Sequence, residues 1–447
     1  MKYSLPLLSL LLAGLGGAPS NAPAQSSRAQ LQDHYLVQLR RDADPLRAAQ
    51  RHGVGPTFLY SRAINGFAGK IPPGILRRLQ RDPQVIAIIP DRFISAIGFT
   101  AGKPGGGGSG TTGQVVPPGI TRVGAAPANN LGFTGAGIGV AIVDTGIDLA
   151  HPDLRISPVT FSAWGGSATD DNGHGTHVAG TVGALNNNIG VVGVAPGVTL
   201  YSVKVVDYLT ESADSLILAG LDWLASNAAT VSPPIRVVNM SIARNGSVSD
   251  NPLLHAAVQT LVNQGITIVV AAGNESTMTV SQQIPATYPE VLAIASTTAS
   301  DGPRNKKTKL FVPRDSASFF TTDGALDPFT GIGVTVSAPG NEQETISNTG
   351  TFSSLGVLST AWSGWGGNTD RISGTSMASP HVAGVVALLW EQALARGTTL
   401  APEDARRRIR AGAQLRNTAP LNSLSSTYTF DGEREGILSA PGALAAP

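Results

Sequence analysis

The sequence predicts an α/β fold built around a mostly parallel β-sheet. Over most of the 447 residues, short apolar runs that end in turn residues alternate with helical patterns. This alternation is typical of parallel strands joined by crossover helices that cover both faces of the sheet. The predicted strands are residues 139–143, 200–206, 237–241, 266–271 and 292–295, and the predicted helices are residues 212–226 and 253–264.

A smaller α+β unit is predicted before this sheet, at residues 34–94. Its predicted strands are residues 35–39, 58–61, 64–71 and 85–89, and its predicted helices are residues 45–50 and 73–81. Pro73 suits the first turn of a helix, where its missing N–H costs no hydrogen bond. Seven glycines between Gly102 and Gly113 follow this unit, so we expect a flexible linker that proteases can reach.

Charge is divided unevenly along the chain, although the formal net charge is only +1. Residues 25–112 carry 12 Lys/Arg and 5 Asp/Glu, a net +7, whereas residues 113–447 carry 18 and 25, a net −7. Opposite charges on two parts of one chain suit an intramolecular complex. The overall balance gives no basic signature of nucleic-acid binding.

The N-terminal residues are typical of a secretory signal. Lys2 precedes an apolar run at residues 5–15, which is too short to span a bilayer, and residues 22–24 offer small side chains for cleavage. We therefore expect a secreted protein without a stable membrane anchor, or a periplasmic one where the cell has a second membrane. The chain contains no cysteine, which excludes a disulfide scaffold and a thiol nucleophile.

Four polar residues end apolar segments or begin helices in a pattern that indicates nucleophilic catalysis. Asp144 follows an apolar strand, and Asn274 ends another one. His174 lies at the start of a helix within Asn-Gly-His-Gly-Thr-His, and Ser376 precedes a helical run within Gly-Thr-Ser-Met-Ala-Ser-Pro-His. A helix N-terminus favours developing negative charge at a serine hydroxyl. The order Asp, His, Ser is one of three known orders of the serine triad.

These segments resemble the subtilisin-like serine proteases, or subtilases. The resemblance implies a three-layer catalytic domain in which His174 is the general base, Asp144 orients it and Asn274 supplies the oxyanion-hole side chain. Residues 25–97, including Ile-Asn-Gly-Phe-Ala at 64–68, resemble the inhibitor-type propeptide of that family, a small ferredoxin-like unit. It implies a propeptide that helps the enzyme fold and inhibits it within the same chain.

Four segments are therefore expected: a signal peptide at residues 1–24, a propeptide at 25–97, a Gly-rich linker at 98–113 and a peptidase domain at 114–447. We expect a monomer that acts on polypeptide substrates. Residues 304–313, 322–331 and 341–355 are longer than the family pattern needs, and we expect them to decorate the surface.

The substrate cleft is also assigned by resemblance. One edge is Ser241, Ile242, Ala243 and Arg244, the other includes Leu209, Thr210 and Glu211, and Gly273 and Glu275 belong to the wall and rim of a specificity pocket. The family often has two glycines where this chain has Ala243 and Arg244, so we expect a narrowed or reoriented pocket. Glu275 favours a basic side chain in the substrate or is an ordinary solvated carboxylate.

A structural calcium ion is implied by one loop. Residues 184–191 match the strong calcium loop of the family, and the implied ligands are Gln114, Asp153, Leu185, Asn187, Ile189 and Val191. Calcium prefers carbonyl and carboxylate oxygens. Taken alone, the three consecutive asparagines of this loop indicate only a turn.

Two other functional classes compete with the protease. A catalytically silent binding or structural protein on the same fold would lack part of the triad, and all four catalytic residues are present. An esterase of the α/β-hydrolase class would have the order Ser, Asp, His and a Gly-x-Ser-x-Gly elbow, which this chain lacks.

Overall fold

The computed structural model describes residues 31–100, 113–125, 132–415 and 435–447. The predicted signal peptide and most of the predicted linker lie outside the described residues. The strands are β1 (His34–Leu39), β2 (Pro56–Tyr60), β3 (Gly66–Lys70), β4 (Val85–Pro90), β5 (Phe93–Ala96), β6 (Phe99–Thr100), β7 (Gly139–Asp144), β8 (Phe161–Ser162), β9 (Thr199–Lys204), β10 (Glu211–Ala213), β11 (Ile235–Met240), β12 (Ile242–Asn245), β13 (Thr267–Ala271), β14 (Gln283–Ile284), β15 (Leu292–Thr298), β16 (Val334–Asn341), β17 (Gln343–Ile346), β18 (Phe352–Leu355), β19 (Val357–Thr360) and β20 (Thr369–Ser373).

The α-helices of the described residues are α1 (Pro45–Arg51), α2 (Pro73–Leu79), α3 (Pro118–Arg122), α4 (His174–Gly183), α5 (Asp214–Asn227), α6 (Pro252–Asn263), α7 (Thr375–Ala395), α8 (Pro402–Gly412) and α9 (Ala440–Ala445). Within the part of the chain that the structure describes, no helix is both long enough and apolar enough to cross a bilayer.

A seven-stranded parallel sheet forms the centre of the molecule, with the strand order β16-β15-β13-β11-β7-β9-β8. Every residue of β7 and β13 is buried, as expected for strands covered on both faces. Side chains of α4 and α7 belong to one core cluster, and those of α5 and α6 belong to another. The predicted three-layer α/β domain is thus confirmed.

The smaller unit is a four-stranded antiparallel sheet with the order β2-β3-β1-β4 and two helices, α1 and α2. The element order β-α-β-β-α-β with this strand order is the ferredoxin-like arrangement that the sequence predicts. Its own core lies between the sheet and the helices and contains Val37, Phe67 and Leu79.

The other face of the small sheet packs on the large domain. Leu36, Tyr60 and Ala68 belong to the same core cluster as α5 and α6. The carboxylate of Asp222 on α5 accepts backbone N–H groups of residues 61–63 at 2.8–3.3 Å. Asp91 accepts the N–H of Ser215 at 3.0 Å, where the first turn of α5 has free donors. The two units therefore share a continuous apolar interface with hydrogen bonds at the end and the side of α5.

One sequence-based expectation is wrong, and a second one is incomplete. The helix predicted at residues 212–226 begins only at Asp214, because Ser212 and Ala213 pair as a strand with Ile94 and Phe93. The segments predicted as surface decoration also contain buried polar groups, including Thr322 and Glu344, which are fully buried. Thr322 hydrogen-bonds to the backbone at Gly273, so one of these segments supports the site described next.

Candidate active site

The carboxyl ends of β7 and β13 and the N-termini of α4 and α7 meet at one edge of the sheet. Nδ1 of His174, the first residue of α4, lies 2.7 Å from Oδ1 of Asp144, the last residue of β7. Both residues are buried. Burial opposes the charged imidazolium, but the Asp144 carboxylate outweighs it and holds the pKa of His174 above its ordinary value.

Asp170 fixes the backbone that carries these two residues. Its Oδ1 accepts the hydroxyl of Thr145 at 2.8 Å and the N–H of Gly173 at 2.9 Å. Its Oδ2 accepts the N–H of Thr176 at 2.9 Å. Because these donors flank Asp144 and His174, one buried carboxylate ties the end of β7 to the first turn of α4.

Ser376 is the second residue of α7 and is fully buried. Its Oγ donates to the carbonyl oxygen of Ile97, a residue of the small unit's C-terminal segment, and lies 3.1 Å from the carbonyl oxygen of Ser241. Nε2 of His174 is buried and has no hydrogen-bond partner among the described residues. The hydroxyl must therefore turn from Ile97 to His174 before the imidazole can take its proton.

Asn274 lies just beyond β13 with its side-chain amide held in one orientation. Oδ1 accepts both the N–H and the hydroxyl of Thr375 at 2.9 Å, which leaves Nδ2 as a donor. A Cβ on Gly374 would lie 3.1 Å from Nδ2 of Asn274 and 3.2 Å from the carbonyl oxygen of Ile97. Because Gly374 has no Cβ, the amide nitrogen of Asn274 and the carbonyl oxygen of Ile97 can both lie next to it.

An extended segment occupies the cleft in front of Ser376. β5 lies between β10 and β12 and pairs antiparallel with both. Ser95 is paired with Glu211 on one edge and with Ala243 on the other. The N–H of Ile97 also donates to the carbonyl of Ser241 at 3.3 Å. This is how a protein binds a peptide by strand addition.

The chain continues past Ser376 to a third edge. β6 pairs antiparallel with β20, with Phe99 opposite Ser373 and Thr100 opposite Ile372. Gly98 lies between the two paired segments, and a Cβ on it would be 3.3 Å from Nε2 of His174. The Ile97–Gly98 peptide bond is thus held on both sides, next to the hydroxyl and the imidazole.

A cavity of about 580 Å³ is lined by residues of β5 and β12 and by the segments after β13 and at β14. Its lining includes Ala243, Arg244, Glu275, Asn274 and Ile97, together with Gln283, which the sequence did not single out. Arg244 does not project into this cavity as a free cation. Its Nε and Nη2 donate to Oδ1 and Oδ2 of Asp214 at 3.0 and 2.7 Å, and its side chain is only 7 % exposed.

The second cleft edge lies further along the chain than expected. The paired residues begin at Glu211, and Thr210 contributes only its carbonyl oxygen, which accepts the N–H of Ala96 at 3.2 Å. Leu209 is about half exposed and belongs to no strand. The sequence also missed Gly98, Ile372 and Asp170, because no local motif shows which distant segments meet at the serine.

Five of the six predicted calcium ligands meet around the side-chain amide of Gln114. Nε2 of Gln114 lies 2.5, 3.1 and 2.9 Å from the carbonyl oxygens of Leu185, Ile189 and Val191 and 3.5 Å from Oδ1 of Asn187. Oδ2 of Asp153 accepts the N–H of Val191, whereas its buried Oδ1 has no partner among the described residues. Burial raises the pKa of Asp153 to about 6.

Comparison with known proteins assigns a family to the large domain and to the small N-terminal unit, and both agree with the resemblance seen in the sequence. The model of the "Subtilase family" matches residues 135–430, and that of "Peptidase inhibitor I9" matches residues 16–96. Subtilisin E of Bacillus subtilis (strain 168) is 30% identical over 407 residues, 87% of this chain and 88% of that protein. M-protease of Shouchella clausii (strain KSM-K16) is 38% identical over 283 residues, 63% of this chain and 61% of that protein.

A further relative is Subtilisin amylosacchariticus of Bacillus subtilis subsp. amylosacchariticus, which is 30% identical over 405 residues, 87% of this chain and 88% of that protein. The solved "Crystal structure of a cold adapted subtilisin-like serine proteinase" matches with a TM-score of 0.49 and 28% identity, over 69% of this chain and 90% of that one. The family model alone spans well over half of the chain. The chain therefore belongs to the subtilase family and is a subtilisin-like serine endopeptidase that carries an inhibitor I9-type propeptide domain.

Proposed function

We propose that the protein is an exported zymogen that cuts its own Ile97–Gly98 bond and then hydrolyses extended polypeptides. One observation carries this proposal: the carbonyl of Ile97 meets the hydroxyl of Ser376 while β5 and β6 are held as strands on either side of it. A peptide substrate would be held in this way, and here the held segment belongs to the same chain.

In this proposal Ser376 attacks the carbonyl carbon of Ile97 as His174 takes its proton. The Ser376 N–H and Nδ2 of Asn274 stabilise the oxyanion. His174 then gives the proton to the nitrogen of Gly98, so that the C–N bond breaks and an acyl-enzyme remains. Water, activated by the same imidazole, hydrolyses the ester and regenerates Ser376.

The cut would leave the propeptide, ending at Ile97, in the cleft as an intramolecular inhibitor. Its hydrogen bonds to α5 and its shared core do not depend on the severed bond. We extend the proposal to the boundaries that the sequence predicts: a signal at residues 1–24, a propeptide at 25–97, a linker at 98–113 and the peptidase from 114. Gln114 contacts the calcium loop in the uncut chain, so docking of that residue needs no prior cleavage.

The proposal includes a structural calcium ion. A side-chain NH2 group has two hydrogens, yet four acceptor oxygens surround the terminal amide of Gln114. Exchanging its amide nitrogen and oxygen would bring five oxygens together, with the unpartnered Oδ1 of Asp153 next to this loop. An all-oxygen set with one carboxylate suits calcium, whose part would be to stabilise the fold and not to act on the peptide bond.

Expression of the full chain and of Ser376→Ala tests this function. The active chain is expected to yield a secreted product whose first residue is Gly98, and it should hydrolyse casein and react with a fluorophosphonate at Ser376. The Ser376→Ala chain should remain joined at Ile97–Gly98. Intact mass and N-terminal sequencing give the readout. A folded product that neither reacts nor cuts casein would indicate the silent binding protein, and a large excess of ester over peptide turnover would indicate the esterase.

A further inference from the structure

We propose that this enzyme selects glycine as the residue that follows the scissile bond, through a wall made of Ile372 and His174. The inference rests on the proposed function, because it takes Ile97–Gly98 as the bond that is cut. The inference concerns which side chain a substrate may carry at the position of Gly98. The catalytic motifs do not determine this preference.

The space beside Gly98 is tight for a Cβ. A Cβ at this position would lie 3.1 Å from Cγ2 of Ile372, 3.2 Å from Cδ2 of His174 and 3.3 Å from Nε2 of the same ring. Ordinary van der Waals contact of a Cβ begins near 3.4 Å. A Cβ therefore fits only if Ile372 or His174 moves by a few tenths of an ångström, and two of the three contacts involve the catalytic base.

Neither side of this wall can retreat freely. Ile372 is 3% exposed, belongs to the core cluster under α4 and α7, and lies on β20 between β19 and β6. His174 is 5% exposed and is held by Asp144 at 2.7 Å. A side chain that pushed the imidazole away would move the group that must take the proton of Ser376.

The substrate backbone cannot move away either. On one side, the N–H of Ala96 donates to Thr210 and the N–H of Ile97 donates to Ser241. On the other side, Phe99 and Thr100 pair with β20. The residue between these anchors is fixed at both ends, so a larger side chain there cannot be accommodated by sliding the peptide.

Backbone conformation does not explain the glycine. Gly98 is not among the glycines with positive φ, so an L-residue could adopt its backbone angles. The steric argument thus predicts a graded series: glycine best, alanine slower by about tenfold, and valine slower by about a hundredfold, as expected for overpacking a rigid contact.

The test uses the mature enzyme and quenched fluorescent peptides with the sequence Arg-Phe-Ile-Ser-Ala-Ile-X-Phe-Thr, where X is glycine, alanine, serine or valine. kcat/KM is measured per active site by fluorophosphonate titration, and mass spectrometry identifies the bond that is cut. We expect the rate at the Ile–X bond to fall from glycine to alanine and to valine. Equal rates would overturn the selection while leaving the proposed function intact. Cleavage at another bond would overturn the proposed site and the selection with it.

Two variants distinguish a steric effect of Ile372 from a general loss of activity. Ile372→Ala removes the close methyl group and should raise the alanine-to-glycine ratio of kcat/KM at least fivefold. Leu358→Ala is the matched control: Leu358 lies on the neighbouring strand β19, opposite Arg371, and it should leave that ratio within twofold. An unchanged ratio in Ile372→Ala, or the same rise in both variants, would overturn the role of Ile372.

Discussion

Three buried histidines differ in the one feature that decides whether each can act as a base. His177 and His381 are fully buried and have no carboxylate partner among the described residues, and burial lowers the pKa of His177 to about 3 and that of His381 to about 4. His174 is equally enclosed, but the carboxylate of Asp144 raises its pKa. A buried histidine therefore needs a carboxylate partner to act as a base near neutral pH, because burial alone lowers its pKa too far for it to accept a proton.

The pH dependence of kcat/KM should follow His174. Only the neutral imidazole can take the proton of Ser376, and its pKa lies above the ordinary value, so activity should rise with pH with a midpoint above about 6.5. His177 and His381 stay neutral throughout that range and cannot produce the rise. Initial rates of the mature enzyme on one peptide from pH 5 to 9 give the midpoint. A midpoint below 6 would contradict the assignment of His174.

Asn274→Ala should lower kcat by about two to three orders of magnitude, because the variant loses one oxyanion donor. The fold should survive, since the Asn274 side chain is only partly buried. Thr375→Val serves as a comparison: it removes the hydroxyl that orients the amide but keeps the Thr375 N–H, so we expect a smaller loss. Steady-state kinetics on a single peptide provide the measurement. A turnover close to that of the unmodified enzyme in Asn274→Ala would remove this residue from the oxyanion hole.

The sequence predicts those site residues that lie in local motifs. Asp144, His174 and Ser376 each lie in a short segment that also predicts its own strand or helix. Because functional groups of a parallel sheet gather at the carboxyl ends of its strands, the sequence predicts that these three residues lie close together. Ile372 and Gly98 lie more than 270 residues apart, and the pairing of β6 with β20 brings them together. Residues that act through such a contact leave no local pattern.

At the scale of elements, an ion pair joins the two edges of the cleft. Arg244 belongs to β12, and Asp214 begins α5 directly after β10, so their bidentate contact links the two strands that flank β5. Burial raises the pKa of Asp214 to about 6, although the guanidinium opposes this shift. The sequence predicts that Ala243 and Arg244 narrow or reorient a pocket, and that expectation stays a prediction; the structure adds that the Arg244 guanidinium is paired with Asp214.

Removing one member of this pair should destabilise the zymogen strongly. Arg244→Ala leaves the buried carboxylate of Asp214 unpaired, which typically costs about 3–5 kcal/mol. The double variant Arg244→Met with Asp214→Leu should recover most of that loss, because apolar replacements of a buried pair are often tolerated. Urea unfolding of both variants in a Ser376→Ala background avoids self-digestion. Equal midpoints for Arg244→Ala and its parent would show that the pair contributes no stability.

At the scale of the whole molecule, stability comes from burial and from the propeptide, since the chain has no disulfide. The small sheet shares a core cluster with α5 and α6, and by sequence residues 25–112 carry a net +7 against −7 for residues 113–447. Loss of the propeptide exposes that apolar face, so the mature enzyme must rely on its own core. In the proposed function, a calcium ion bound at the loop of residues 184–191 would add to that stability.

Calcium should therefore stabilise the mature enzyme without changing its chemistry. An ion that binds only the folded state adds about 2.7 kcal/mol when its free concentration is about 100-fold above the dissociation constant. Chelation with EDTA should speed thermal inactivation, and Asp153→Ala should reproduce that loss and blunt the response to added calcium. The initial turnover of intact enzyme should stay the same, because the loop contributes no group to the triad. Inactivation rates with and without EDTA, and the metal content of the purified protein, provide the measurements. An EDTA-insensitive enzyme that contains no calcium would show that the Gln114 loop is an ordinary turn whose stability comes from its hydrogen bonds alone.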